Sequence, residues 1–320
     1  MHFTRWLPAL ALAILPGLAA AQQDTRPIRI LVGFPPGGST DIVARILSDK
    51  MRELLGRPIV VENRPGNGGQ VAAIQLKNAA PDGTTVMLTI DHTHVTIPLT
   101  FKDPGYDPLK DFTPIAGVAQ YYNAMAASAK TDIRSLKDIA AWMKANPTQH
   151  NFGIPAAGSI PQFAGLIVAK ALGVEMLPIP YKGGAPLVQD IIGGQVPIGF
   201  GSLTELIEHH RAGRLRVLAV SGTQRARAAP EIPTFQELGL KGIDKNPWLA
   251  FFGPAGMPPA LVININAAVR NAMETPEARE RFLTLGVEAS PTQPEELRKW
   301  VEDALKHWGP VIRESGYVLQ

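Results

Sequence analysis

The sequence predicts an α/β protein whose parallel-sheet units lie in two separate halves of the chain, and three observations predict it. Ile28, Ile30, Leu31, Val32 and Phe34 form a nearly continuous apolar run bounded by turn residues, as in a strand buried on both faces of a parallel sheet. The glycine-rich turn Phe34-Pro35-Pro36-Gly37-Gly38-Ser39-Thr40-Asp41 follows. Val43, Leu47, Met51, Leu54 and Leu55 then recur at helical spacing, with Ser39 or Thr40 placed to cap the helix. The same order of strand, small-residue turn and helix returns from Asn151 onward.

A helix N-terminus presents unpaired N–H groups and the positive end of its dipole, and two glycines let a ligand approach that backbone closely. The first turn is therefore either an anion site or an ordinary strand-to-helix turn. Its recurrence further along favours the former.

Arg5, the apolar run Leu7 to Leu18 and the small residues Ala19-Ala20-Ala21 have the three parts of a secretory signal peptide, residues 1–21, with cleavage expected before Gln22. The run is shorter than the roughly 20 residues a membrane span needs. The absence of cysteine removes disulfides, thiolate metal sites and a lipid-modified N-terminal Cys together. A soluble periplasmic protein is expected. The net charge of +3 comes from scattered Lys and Arg without aromatic interleaving, which argues against a nucleic-acid partner. The 320 residues suffice for two domains, and 30 glycines and 29 prolines spread along them indicate many tight turns rather than disorder.

Taken in order, Ile59 to Glu62 reads as a second strand and Asn63-Arg64-Pro65-Gly66-Asn67-Gly68-Gly69 as its turn, leading to a helix near Gln70 to Ala79. The spacing fits neither a dinucleotide fingerprint nor a P-loop. Thr84 to Ile90 is a third strand, ending in Asp91-His92-Thr93-His94, a polar cluster where open α/β sheets place ligands. Pro98 to Pro114 reads as surface loop, and Ile115 to Ser128 as an extended stretch that crosses between domains. A helix runs from Ser135 to about Ala145. Asn151 to Ile154, Met176 to Pro180 and Ile198 to Phe200 are strands, each leading through a turn (Gly158-Ser159, Tyr181 to Ala185, Gly201-Ser202) into a helix. Arg216 to Val220 is a strand, Gln224 to Pro233 a polar loop, and Trp248 to Phe252 the last clear strand. Beyond it the chain is helical, with an apolar stripe of Leu297, Trp300, Val301, Ala304, Leu305 and Trp308.

The pieces Phe34 to Asp41, Glu62 to Gly69, Gly158-Ser159, Pro180 to Gly183, Gly193 to Val196, Leu215 to Val220 and Pro254 to Gly256 fall in order along nearly the whole mature chain. Together they resemble the extracytoplasmic solute-binding receptors of tripartite tricarboxylate transport systems, the Bug family. The resemblance implies a two-lobed periplasmic-binding-protein fold, a type II-like clamshell with its ligand cleft between the lobes. Residues 22–126 and 247–320 would form one lobe and 127–246 the other. It further implies a monomer that captures a small organic acid, holds it mainly by backbone groups and hydroxyls, and delivers it to a membrane permease. No cofactor or metal is expected. Carried over position by position, the cleft candidates are Gly37, Gly38, Ser39, Asp41, Gly69, Thr93, Gly158, Ser159 and Tyr181. Phe34 at the head of the first turn, Asp91 beside Thr93, and Ser202 before the helix Leu203 to Arg211 complete the set.

Two positions depart from the family pattern. Asp91-His92 stands where relatives commonly have a small polar residue before a Thr-His pair, and Gln162 stands where a His commonly follows the Gly-Ser of the middle segment. An Asp91 carboxylate about 4 Å from a ligand carboxylate would be repelled by roughly 4 kcal/mol at an effective dielectric of 20. Either Asp91 turns away, or the ligand carries a compensating donor such as an ammonium or amide; the strand-end position favours the second.

Other readings remain beside these. His92 and His94 could share a face as metal ligands, but no third ligand is near. His209-His210 suits the negative end of its helix. Tyr181 is either a half-buried core residue or a ligand contact. No G-x-S-x-G, paired-carboxylate or Cys-His arrangement appears, so the chain reads as a binding protein rather than an enzyme. The alternatives are an enzyme on the same scaffold and a receptor that signals to a membrane sensor.

Overall fold

A computed structural model describes residues 25–317, so the expected signal peptide and its cleavage site lie outside the described residues. β1 (Ile28–Val32) pairs in parallel with β2 (Ile59–Asn63) and with β3 (Thr85–Ile90). Its crossovers are α1 (Ser39–Leu55) and α2 (Gln70–Lys77), the second entered through a short 3-10 turn, Asn67–Gly69. A wide helical turn, His92–Thr96, continues into α3 (Ile97–Thr100). Then β4 (Phe112–Gln120) ends the first pass through this sheet, and β5 (Asn123–Ser128) already belongs to another.

The second sheet is built from β5 and four strands alternating with helices. These are α4 (Leu136–Ala145), β6 (Asn151–Ile154), α5 (Ile160–Leu172), β7 (Leu177–Pro180), α6 (Gly184–Gly193), β8 (Ile198–Ser202), α7 (Leu203–Arg211) and β9 (Leu215–Val220). Their spatial order is β7-β6-β8-β5-β9, with β6 parallel to β7 and β8, and β5 antiparallel to β8 and β9. The chain then returns through β10 (Trp248–Pro254), α8 (Pro259–Met273), α9 (Pro276–Thr284), the two-residue β11 (Glu288–Ala289) and α10 (Pro294–Glu314). β10 inserts antiparallel between β3 and β4, giving the order β11-β4-β10-β3-β1-β2.

Each sheet is covered on both faces, which is why its central strands lack polar alternation. α1 and α8 bury Val43, Leu47, Val262 and Val269 on one face of the first sheet; α2 and α10 bury Leu76, Leu297, Val301 and Trp308 on the other. On the second sheet α4 and α5 cover one face and α6 and α7 the other.

Three sequence expectations are corrected. The lobe boundary expected at 126/127 falls inside β5; the chain leaves the first sheet at Tyr121-Tyr122. The loop expected over Pro98 to Pro114 contains α3 and the start of β4. Pro114 is tolerated in that strand because it faces Phe252 beside a register shift between Phe251 and Phe252, where a ladder hydrogen bond is already interrupted. Asp91 to His94 follows the end of β3 as expected but winds into a helical turn instead of staying extended, and β11 was too short to carry a periodic signal.

Trp308 is 1% exposed among Leu297, Val301 and Ile312. Trp308→Ala is expected to destabilise the protein by about 3–5 kcal/mol, the transfer term plus the cavity left behind. Urea unfolding followed by circular dichroism measures this, and an unchanged midpoint would show that α10 does not depend on the stripe.

Candidate functional site

The parallel strands of both sheets deliver their turns to the edge where the two sheets meet, the position expected for a ligand. At the opening of α1, Gly37 is exposed with φ +83°, Gly38 and Ser39 are half-buried, and no side chain caps the helix. Asp41 does not look outward. Its carboxylate accepts the Gly37 N–H at 2.9 Å and the Asn63 amide at 2.9 Å, and pairs with Arg45 at 2.9 Å. Burial pushes this carboxyl up, but the hydrogen bonds from Arg45, Gly37 and Asn63 outweigh burial and hold it below the ordinary value. Asn63 also donates to the Phe34 carbonyl at 3.0 Å, so Asp41 shapes the turn that Phe34 begins.

Gly69 and Thr93 meet, as expected, but they lock two loops together. The Thr93 hydroxyl donates to the Gly68 carbonyl at 2.8 Å and is fully buried. A Cβ on Gly69, which sits at φ +96°, would lie 2.5 Å from that hydroxyl oxygen. The Tyr106 hydroxyl closes the other side by donating to the Thr93 carbonyl. His92 and His94 do not share a face. His92 hydrogen-bonds Thr96 and covers Gly68, whereas His94 stacks on Phe252 with ring centroids 4.1 Å apart. Burial drives their pKa values down to about 4 and about 3, so both are neutral near pH 7.

In the second lobe, Gly158 turns at φ +69° and its N–H donates to Gln162 Oε1 at 2.8 Å. Ser159 stands at the N-cap of α5 with no side-chain cap bond, its hydroxyl donating to the Ala156 carbonyl at 2.6 Å. Ser202 holds the same position before α7 and bonds Thr204 at 2.7 Å. Tyr181 follows β7 at this edge; its ring packs over Gly153 and its hydroxyl donates to Asp190 at 2.8 Å, two turns along α6.

Around Asp91, already a candidate from the sequence, the junction contains residues that the motif reading passed over. Asp91 is 4% exposed, and its Oδ1 accepts the His92 N–H at 2.9 Å and the Tyr121 hydroxyl at 3.3 Å. Burial raises its pKa to about 7. Tyr121 lies on the crossing segment. Its phenol is pushed well up by burial, then by Asp91 and by Glu205 of α7. Asn123, the first residue of β5, pairs in register with Ser202 and keeps a buried Nδ2 without a partner. The signal for Asn123 was a lone amide at the head of the apolar run from Ala124 to Ala127; nothing local marked Glu205, whose place depends on tertiary packing. A hollow of about 250 Å³ lined by Arg134, His210, Val217 and Glu231 lies beside the edge strand β9, away from these groups.

Residues 43–317 match the model of the tripartite tricarboxylate transporter family receptor. The chain is 32% identical over 326 residues to Protein BugT of Bordetella pertussis, covering 100% of both chains. Among solved structures it resembles the periplasmic binding protein BugD, with TM-score 0.83 at 31% identity, covering 93% of this chain and 100% of that one. It also resembles MatC from Rhodopseudomonas palustris with bound malate, with TM-score 0.82 at 29% identity, covering 90% and 99%. A third structure, from R. palustris with adipate, gives TM-score 0.85 at 28% identity, covering 92% and 98%. Among the described residues no helix is long and apolar enough to cross a membrane.

The Asp91 pKa sets a pH dependence with a definite sign. Between the ordinary value of 3.8 and about 7 the folded state holds a proton that the unfolded state has lost. This contribution to stability is full below the lower value and disappears as pH rises through the upper one. Asp91→Asn removes it. Relative to the parent, the variant is expected to gain up to about 1.4 kcal/mol per pH unit across that window, read from urea midpoints. Parallel profiles would show that Asp91 is ionised in the folded protein.

Proposed function

The chain belongs to the tripartite tricarboxylate transporter receptor family, and from that premise we propose that it captures a small organic acid between its lobes, without turnover, and hands it to membrane permease subunits. The observation that carries this reading is the placing of two uncapped helix N-termini, those of α1 and α5, at the strand edge where the sheets meet. Free first-turn N–H groups and the helix dipole favour an anion without a buried cationic side chain. The malate and adipate in the two R. palustris structures are carboxylates of the expected size. The protein works as a monomer exported to the periplasm, with residues 1–21 acting as its signal peptide. Gly37, Gly38, Ser39, Gly158 and Ser159 are the proposed backbone and hydroxyl contacts, whereas Asp41, Gly69 and Thr93 hold the turns in place.

A carboxylate at about 100 times its dissociation constant should stabilise the folded protein by roughly 2.7 kcal/mol, seen as a raised melting temperature. The ligand should be recovered chemically unchanged. A panel of mono- and dicarboxylates that gives no shift while neutral sugars do would overturn the assignment, and loss of ligand with time would point to an enzyme. Ser159→Ala should weaken binding by about 0.5–1.5 kcal/mol, the contribution of a neutral hydrogen bond. Calorimetry on the folded variant decides that point.

A further inference from the structure

The turn that opens α1 carries a negative charge of its own. Asp41 lies buried in the first turn of the helix, at the end whose dipole and free N–H groups favour an anion. A carboxylate fixed there competes with an incoming carboxylate for the same positive end and repels it. The opening of α5 is shaped in the same way without charge. Gln162, also buried and also four residues beyond the N–H it accepts, offers an amide oxygen to Gly158 at 2.8 Å, as Asp41 offers a carboxylate oxygen to Gly37 at 2.9 Å.

Arg45, one turn along α1, answers the Asp41 charge. Its Nε lies 3.1 Å from Oδ1 and 3.0 Å from Oδ2, and its Nη2 lies 2.9 Å from Oδ1, so the guanidinium covers both oxygens of the carboxylate. The same Nη2 donates to Asn63 Oδ1 at 3.3 Å, while Asn63 Nδ2 donates to Asp41 Oδ1 at 2.9 Å and to the Phe34 carbonyl at 3.0 Å. The three side chains thereby clasp the turn from Phe34 to Gly37 between the end of β2 and the start of α1. The Arg45 side chain is 54% exposed and that of Asp41 only 4%, which puts the cation on the solvent side of the pair and the anion on the side of the turn.

We propose that Arg45 is a positioning residue for ligand binding: by pairing with Asp41 it makes the α1 turn neutral and leaves the N–H groups after Gly37 to a ligand carboxylate. This rests on the receptor reading above and concerns how the first lobe receives an anion. An ion pair that only held the turn would be weakened by replacing either partner, and both replacements would then loosen the turn and cost affinity. A pair that cancels charge gives the two replacements opposite signs. Without Arg45 the Asp41 carboxylate stands against the ligand without its cation. Asp41→Asn instead reproduces at α1 the uncharged arrangement that Gln162 gives α5, since the amide oxygen still reaches the Gly37 N–H.

The test is titration calorimetry on the mature, ligand-free protein with four- to six-carbon dicarboxylates at low and at high salt. Arg45→Gln is expected to weaken binding about three- to tenfold at low salt, the scale of a partly exposed counter-charge at a helix start. That deficit should shrink in about 1 M salt, where the Debye length falls to about 3 Å. Asp41→Asn should bind as tightly as the parent or more tightly, and adding it to Arg45→Gln should bring affinity back to within about twofold of the parent. Arg45→Lys, which keeps the charge and loses the fork, should fall between the parent and Arg45→Gln. Melting curves establish that each variant is folded. Should Asp41→Asn not fold, the salt dependence of Arg45→Gln and the partial recovery in Arg45→Lys carry the comparison. Additive losses in the double variant, or a deficit in Arg45→Gln that salt does not change, overturn the inference and leave the receptor reading standing. If the parent binds no carboxylate, the receptor reading falls and this inference with it.

Discussion

The two lobes are joined where the chain crosses twice, and the crossings lie side by side. Tyr121 donates its N–H to the Pro247 carbonyl at 3.0 Å, and the next rung of the ladder pairs Gln120 with Trp248. This follows from the insertion of β10 next to β4 in the first sheet, which places the outgoing and returning strands in register. Two adjacent crossings define one line about which the lobes can rotate, the geometry of hinge closure. The position of every group at the junction depends on it. Tyr121 reaches Asp91 from the crossing, and Asn123 starts the second sheet only two residues later.

Polar side chains close to the strand-edge turns divide into those that build the turns and those left over. Asp41 and Gln162 both bend back onto N–H groups of their own turn, those of Gly37 and Gly158. Each sits four residues beyond the N–H it accepts, within reach from the first turn of its helix, and each fixes the loop conformation that leaves later N–H groups free. Thr93 and Tyr106 do the same for the second and third turns by hydrogen bonds to carbonyls. Asp91 accepts the His92 N–H in the same way, and once these are accounted for Asn123 remains, its Nδ2 a buried donor without a partner.

That division explains how much was legible in the sequence. The α/β class, the order of strands and helices and the glycine turns could be read because periodicity and turn chemistry are local, and the solved relatives bear out the two-lobed fold. The stripe on α10 was legible for the same reason. What failed was direction. Thr93 and Tyr181 are polar residues at turns, where function concentrates, yet Thr93 is sealed beneath Tyr106 and Tyr181 lies back along α6. A one-dimensional pattern places a residue on a turn but does not say which way its side chain leaves. Glu205 escaped notice for a related reason: a glutamate in the first turn of a helix is ordinary, and only the packing of α7 beside α6 brings it over Gly184.

The lobes also touch away from the polar junction, and this bears on how closure is held. Ile160 and Phe163, in the first turns of α5, are buried in the aromatic cluster of the first lobe with Trp248, and Phe163 meets Tyr317 edge-on at 5.8 Å. An apolar contact of this kind favours approach of the lobes without choosing among ligands, since it buries the same surface whatever the cleft contains. Discrimination must then come from polar groups whose matching depends on the occupant. Tyr122, which donates to Glu288 at 3.0 Å, adds a fixed tie between the crossing and β11. Nonpolar contact near α5 and this tie can therefore stabilise closure for any solute that fits. The buried Asn123 Nδ2, a donor without a partner, makes it more favourable for a solute that supplies an acceptor, because an unfilled buried polar group costs more than a neutral hydrogen bond returns.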